Sequence, residues 1–208
     1  MNNISIIPIN NLPEFEPKHD LADEIVKSFS SNNFVLEDKD IIVITQKIVS
    51  KVEDRLIKND NESIEKLIQQ ESLEILRKRG DTVIARTKHG FICANAGIDK
   101  SNIEKGSVLL LPEDPDKTSR DIRKKIEHVT NKKISIIISD TFGRAWRKGQ
   151  TNVAIGSSGI EPLESYIGEK DAFDNELFAT EIAIIDELAG AAELVMKKSD
   201  NIPVAIIR

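Results

Sequence analysis

The segment KISIIISD, residues 133–140, is apolar and β-branched on both of its alternating faces. A strand with no polar face must be covered on both sides, so a chain containing it has to supply helices above and below a sheet. DIIVITQKIVSK begins the same way and turns polar at Thr45. GSVLLLPEDPD reads as a buried strand stopped at Pro112, and IPVAIIR as a last strand. ISIIPI is the first strand candidate, closed by the turn-forming cluster NNLPE. TVIARTKHGFICANAGID reads as a hairpin or strand pair broken at Gly90.

Helical patterns alternate with these runs. Asp20 caps a helix through LADEIVKSFS, with acids in the first turn. ESIEKLIQQESLEILRKR has helical spacing and a solvated face, and Ser119 starts a basic helix through RDIRKKIEHVT. NELFATEIAIIDELAGAAELVMKK is the strongest helix, with Leu177, Ile184, Leu188, Ala191 and Val195 as its apolar stripe. The alternation predicts an α/β (α+β) fold. With 208 residues there is room for one large domain, residues 1–208, or two small interleaved lobes around a sizeable core.

A formal charge of −6 gives no global attraction to nucleic acid or to an acidic membrane, so an anionic ligand must be met by local cations. The single cysteine, Cys93, excludes an internal disulfide and a cysteine-rich zinc site. No apolar run approaches the roughly 18–20 residues of a membrane span, and MNNISIIPINNLPEF lacks the features of a signal peptide. These features predict a soluble, cytoplasmic protein.

Ligand sites of α/β sheets favour the carboxyl ends of strands. Asp140 and Thr141 stand at such an end, as hard oxygen donors suited to Mg²⁺ or Mn²⁺. Arg144, Arg147 and Lys148 follow as a local positive cluster, with Gly143 and the glycines of GSSG permitting close backbone approach. A lone strand-end aspartate also suits a turn cap. CANAGIDKSN is a second polar island, where Asp99 is either another oxygen ligand or part of an Asx turn, and Asn95 and Asn102 offer amides. Lys47 and Lys51, just after a strand, suit phosphates or open solvent.

Other chemistries fit less well. There is neither G-x-x-x-x-G-K-[ST] nor G-x-G-x-x-G, so any nucleotide is bound by another fold. Phe142 stands where a D-x-D phosphatase needs its second aspartate, and GSSGI lacks the nucleophile-elbow spacing. His19, His89 and His128 form no i,i+4 pair, and Cys93 reads as a small core residue. Glu181, Asp186, Glu187 and Glu193 are expected on the wet face of the long helix.

The segments LPEF, ITQKIVSK, HGFICANAGIDKSNIEKGSVLLLPEDPD, IIISDTFGRAWRKGQTNVAIGSSGI and TEIAIIDELAGAAELVMKK…IPVAIIR, in this order, resemble the coenzyme F-420-0:gamma-glutamyl ligase family. The resemblance covers most of the chain, and HGFICANAGIDKSN and SDTFGRAWRKGQ are its most specific parts. It implies a two-lobed, mixed-sheet fold in an intertwined homodimer, and a GTP-dependent ligase that adds L-glutamate to the deazaflavin precursor F-420-0. F-420-1 and then gamma-linked F-420-2 would form through an acyl phosphate, with release of GDP and phosphate. A related amide ligase with another carboxylate acceptor, or a binding module without turnover, are the alternatives.

The resemblance also implies two divalent ions, Mg²⁺ or Mn²⁺, and K⁺. Carried over by position, Asp99 and Asp140 bind one divalent ion and Thr141 the second. Asn10, Asn11, Leu12 and Pro13, then Gln46, Lys47 and Lys51, and Asn102 contact GTP. Apart from the resemblance, the cations Arg144, Arg147 and Lys148 suit a clamp on the acceptor's carboxylate or phosphate, so that Arg144 and Arg147 join Asp140 as expected catalytic groups. The loop Met196 to Ile202 closes over the nucleotide, but reads MKKSDNI, with Lys198 where an acid is expected and Asp200 as the nearest substitute. The 55–90 region is shorter than usual for the family, and the sequence ends before its usual Gly-rich loop and final helix.

Overall fold

The computed structural model describes residues 3–58 and 64–208. In chain order the elements are β1 (Ile6–Ile9), α1 (Leu21–Ser31), β2 (Ile41–Thr45), α2 (Gln46–Val52), β3 (Leu56–Lys58) and α3 (Ile64–Glu71). They continue with β4 (Ser72–Arg79), β5 (Thr82–Thr87), β6 (Ile92–Ala94), β7 (Ser107–Leu109), α4 (Pro115–Thr130) and β8 (Ser135–Gly143). The last are β9 (Gln150–Ser158), β10 (Glu164–Ser165), β11 (Glu181–Ile182), α5 (Ile184–Met196) and β12 (Val204–Ile207).

The expected mixed α/β architecture is present. Five strands form the main sheet in the order β1-β12-β2-β8-β9, and only β2 and β8 run parallel. Its side chains alternate between two cores, as period-two geometry requires. Ile42, Ile44, Ile136, Ile138, Val204 and Ile206 face α1, α2 and α4, where they meet Ile25, Phe29, Ile48, Ile122 and Ile126. Val43, Ile137, Ala205 and Ile207 face α5 through Ala189, Ala192 and Met196. The uninterrupted apolar runs are thus strands covered on both faces. A smaller sheet, β4-β5-β6, packs with α3 around Ile68, Val83, Ala85 and Ala96.

Three helix expectations are corrected. Ser72–Arg79 is a strand: Gly80, at φ +57, turns it back onto β5, and that non-local pairing overrides the helical propensity of its Leu, Glu, Lys and Arg residues. The first residues of the helix expected there lie outside the described residues. The basic helix begins at Pro115, four residues before Ser119, because Asp114 caps the Lys117 amide and proline is pre-set for the first turn. The long helix begins at Ile184: the stretch before it pairs with 164–170, Tyr166 donating to the Thr180 carbonyl and Leu177 to that of Glu169. Leu177 therefore never joins its apolar stripe.

Asp20 caps α1 as expected, accepting from the Asp23 amide at 3.3 Å and from Lys125 Nζ at 3.0 Å. The Lys125 contact is the main reason its carboxyl lies below the usual value. Asp20→Ala should cost about 1 kcal/mol, typical of a lost cap. A depressed carboxyl contributes above its unfolded value and loses that contribution as pH falls through the folded one. Denaturant curves of both proteins should therefore differ at pH 7 and converge in strong acid; a gap unchanged by acid would refute the charged cap.

Candidate active site

The parallel pair β2 and β8 brings two carboxyl ends side by side, Thr45 opposite Ser139. Beyond this edge α2 starts directly from Thr45, and β8 runs on through Asp140 and Thr141. In the β8–β9 ladder Ile138 opposes Gly156 but Ser139 opposes Ala154, leaving Ile155 as an extra residue. A bulge of this kind re-aims the side chains that follow it. Past it, Asp140 and Thr141 face a cleft.

The cleft has two chambers of about 260 and 430 Å³, sharing Lys47, Asn102, Asp140, Thr141 and Lys198 as a common wall. Leu12, Pro13, Glu14, Lys51 and the exit of α5 line the smaller one. Cys93, Asn95, Asp99, Ser101 and Gln150 line the larger. The backbone of Asp99 is fixed by reciprocal hydrogen bonds with Leu109, both 2.9 Å. Gly97 beside it has φ +74 and leaves no room for a side chain, since an added Cβ would lie 2.6 Å from Leu111 Cδ1.

The two aspartates have opposite electrostatics. Burial works against ionisation of Asp99, but Lys47 Nζ at 2.7 Å and the Ser101 amide and hydroxyl outweigh it and hold the carboxyl below its ordinary value. Loss of solvation pushes Asp140 up to about 6, and the negative charge of Asp99 adds to the rise. The Thr141 amide, Lys47 and Lys198 oppose it. Among the described residues no cation lies within ion-pair distance of Asp140. Burial, reinforced by Asp140, also pushes the Cys93 thiol up to about 11, which suits a packed residue and not a thiolate nucleophile.

Two hard carboxylates on one cleft, one without a counter-charge, fit a divalent cation. The place beside Thr141 does not fit a second one. Thr141 Oγ1 donates to Asn152 Oδ1 at 2.8 Å and accepts from Lys198 Nζ at 2.6 Å. A dication about 4 Å from that ammonium would be repelled by roughly 8 kcal/mol at an effective dielectric of 20. Asp200 supplies no substitute ligand: it is exposed and bonds Ser199 Oγ and Lys197 Nζ. No cluster of three His, Cys, Asp or Glu side chains occurs among the described residues.

The other sequence candidates divide. Lys47, Lys51 and Asn102 line the cleft, the lysines paired with Asp99 and Glu14, and Asn102 donating to the Lys198 carbonyl at 3.0 Å. Leu12 and Pro13 line it as well. Asn10 is instead exposed and bonded through its backbone to Asn32, and Asn11 is exposed at φ +60. Gln46 does not line the cleft: its side chain is buried beneath the start of α2, accepting from Ser50 Oγ at 2.8 Å. Arg144 and Arg147 lie exposed on the β8–β9 connection and line neither chamber, and Arg144 donates to the Lys148 carbonyl.

The sequence profile described as F420-0:Gamma-glutamyl ligase matches residues 10–208. The chain belongs to this family. It is 45% identical over 195 residues to the coenzyme F420:L-glutamate ligase of Methanococcus maripaludis strain C6, covering 85% of this chain and 78% of that protein. It is also 45% identical over 193 residues to the ligase of that name from Methanocaldococcus jannaschii, with 84% and 77% covered. No helix among the described residues is long and apolar enough to cross a membrane.

Two acids of α5 expected on its wet face are instead bonded to β9. Glu193, expected on the wet face of α5, lines the smaller chamber and accepts from Asn152 Nδ2 at 2.8 Å. Asp186, two turns earlier, accepts from the Ala154 amide at 2.8 Å. The seven-residue spacing of the two acids around Gly190 was the available signal. Glu187 is exposed as expected.

Proposed function

We propose that this chain is a GTP-dependent ligase that joins L-glutamate to F-420-0 and then, through the gamma-carboxyl, to F-420-1. The observation that carries the reading is the cleft wall itself, where Asp99, Asp140, Lys47 and Asn102 converge beyond the parallel strand pair. The family description names F420-0, and the names of the 45% identical relatives name L-glutamate, which supports this choice of acceptor and amine.

The smaller chamber suits the nucleotide. Leu12 and Pro13 give it an apolar wall, and Lys47 and Lys51 stand where ammonium groups can leave Asp99 and Glu14 for phosphate oxygens. A divalent ion, Mg²⁺ or Mn²⁺, held by Asp99 and Asp140 would neutralise phosphate charge and polarise the group being transferred. The larger chamber suits the acceptor, with Asn95, Gly143 and Gln150 on its wall and Arg144, Arg147 and Lys148 exposed on the connection between the last two.

In the proposed reaction an acceptor carboxylate oxygen attacks the γ-phosphorus of GTP, forming an acyl phosphate and releasing GDP. The amine of glutamate then attacks the acyl carbon, losing a proton as inorganic phosphate departs with the original carboxylate oxygen. The residues named here orient and neutralise three anionic substrates in an acidic protein; they form no covalent bond.

Incubation with GTP, Mn²⁺, L-glutamate and F-420-0 should yield a product heavier by one glutamyl residue, with one GDP per addition. An acceptor labelled with ¹⁸O in its carboxylate should pass one label to phosphate. Folded protein that forms no amide under these conditions overturns the proposal. Amide formation without label transfer overturns the acyl phosphate alone.

A further inference from the structure

We infer that the ammonium group of Lys198 takes the place of a second divalent cation, so that this chain loads one divalent ion per site. The inference rests on the nucleotide-and-metal reading of the cleft and specifies its charge inventory. An ammonium has three N–H donors and no acceptor. In this site all three find oxygen: Thr141 Oγ1 at 2.6 Å, Glu193 Oε1 at 2.8 Å and Asn152 Oδ1 at 3.3 Å. Those three atoms, a hydroxyl, a carboxylate and an amide oxygen, are the donor types a hard cation would recruit.

The surrounding chain holds the lysine to this task. Lys197 leaves α5 at φ +52 and ψ −176, a backbone state that is nearly glycine's alone, and the next residue returns across the cleft. The Lys198 carbonyl is then tied to Asn102 Nδ2 at 3.0 Å, on the opposite wall. The acceptors are also fixed among themselves, by Thr141 Oγ1 to Asn152 Oδ1 and Asn152 Nδ2 to Glu193 Oε2, both 2.8 Å. More than half of the side chain stays exposed, so the ammonium closes the cluster from the solvent side.

Lys47 differs from Lys198 in what it leaves behind. It pairs with Asp99 while Asp140 keeps an uncompensated carboxyl, so a divalent ion is still needed there. Among the described residues the carboxylate within ion-pair distance of Lys198 is Glu193, at 2.8 Å, and the ammonium balances it. A tethered cation also needs no free metal to fill its position, so metal dependence reduces to a single binding event.

Native mass spectrometry of the protein with GDP and Mn²⁺ tests this by counting ions. One Mn²⁺ per chain is expected in the wild type. Two are expected in Lys198→Glu, which removes the ammonium and adds a carboxylate, with Lys198→Met binding the second at least tenfold more weakly than Lys198→Glu. Steady-state Mn²⁺ dependence should change from hyperbolic in the wild type to sigmoidal in Lys198→Glu. Two ions in the wild type, or one in Lys198→Glu, overturns the inference and leaves the ligase reading standing. A wild-type chain that binds neither GDP nor Mn²⁺ overturns both.

Discussion

Asp140→Asn should abolish ligation while making the metal-free protein more stable above pH 6. The activity loss should exceed roughly 100-fold in kcat/KM, beyond the 10–100-fold typical of removing only an outer partner of a metal ligand. The stability gain follows from the carboxyl's position on a desolvated cleft wall next to Asp99, which lifts it from 3.8 to about 6. Between those values the folded chain binds more protons than the unfolded one, so stability falls as pH rises through the interval. Above it the native state carries the whole penalty, on the order of 3 kcal/mol for a shift of about two pH units. Asparagine removes that penalty at pH 8 and gains nothing at pH 3.5.

Thermal unfolding in a chelating buffer at the two pH values measures the difference. Mn²⁺ should then stabilise the wild type and not the variant, because only a ligand bound to the folded state raises its stability. A variant destabilised equally at both pH values, or one that retains normal turnover, would remove Asp140 from the centre of the site.

Much of this arrangement could be read from the chain. The runs in β2, β8 and β12 are apolar on both faces because helices cover both faces, and no other placement satisfies them. Asp140 was visible for the same reason: it is the first acid after such a run. The failures lie where distant partners decide. SLEILRKR becomes a strand only because TVIART lies across a glycine turn from it. Glu193 enters the site because α5 packs against β9, so that an acid on a nominally polar face meets Asn152. Gln46 shows the converse, a polar residue in a matching motif whose side chain turns into the core to meet Ser50. The exposed course of Arg144 and Arg147 also lies beyond pattern reading, since a cluster of cations states a charge and not a direction.

Gly156→Val should damage the scaffold severely, costing about 3 kcal/mol or more, at the upper end of overpacking effects. Gly156 stands in β9 opposite Ile138, and the first turn of α4 lies directly on it. A Cβ at this position would sit 2.5 Å from the carbonyl carbon of Pro115 and 2.7 Å from its oxygen. Backbone atoms cannot rotate away, so the end of the helix must lift.

That displacement would carry further, because the same turn is tied to the site. Asp116 Oδ1 accepts from the Ser157 amide at 2.8 Å, and Thr118 Oγ1 donates to Glu53 Oε1 at 2.6 Å at the end of α2, the helix bearing Lys47 and Lys51. Surviving folded protein should therefore show a raised KM for GTP as well as a lowered Tm. Gly143→Ala is the matched control, since its Cβ would meet open space and should change stability by less than about 0.5 kcal/mol. If the two substitutions are equally mild in urea titrations, the close approach of α4 to β9 does not set the geometry of the cleft, and the bulge at Ile155 must do so alone.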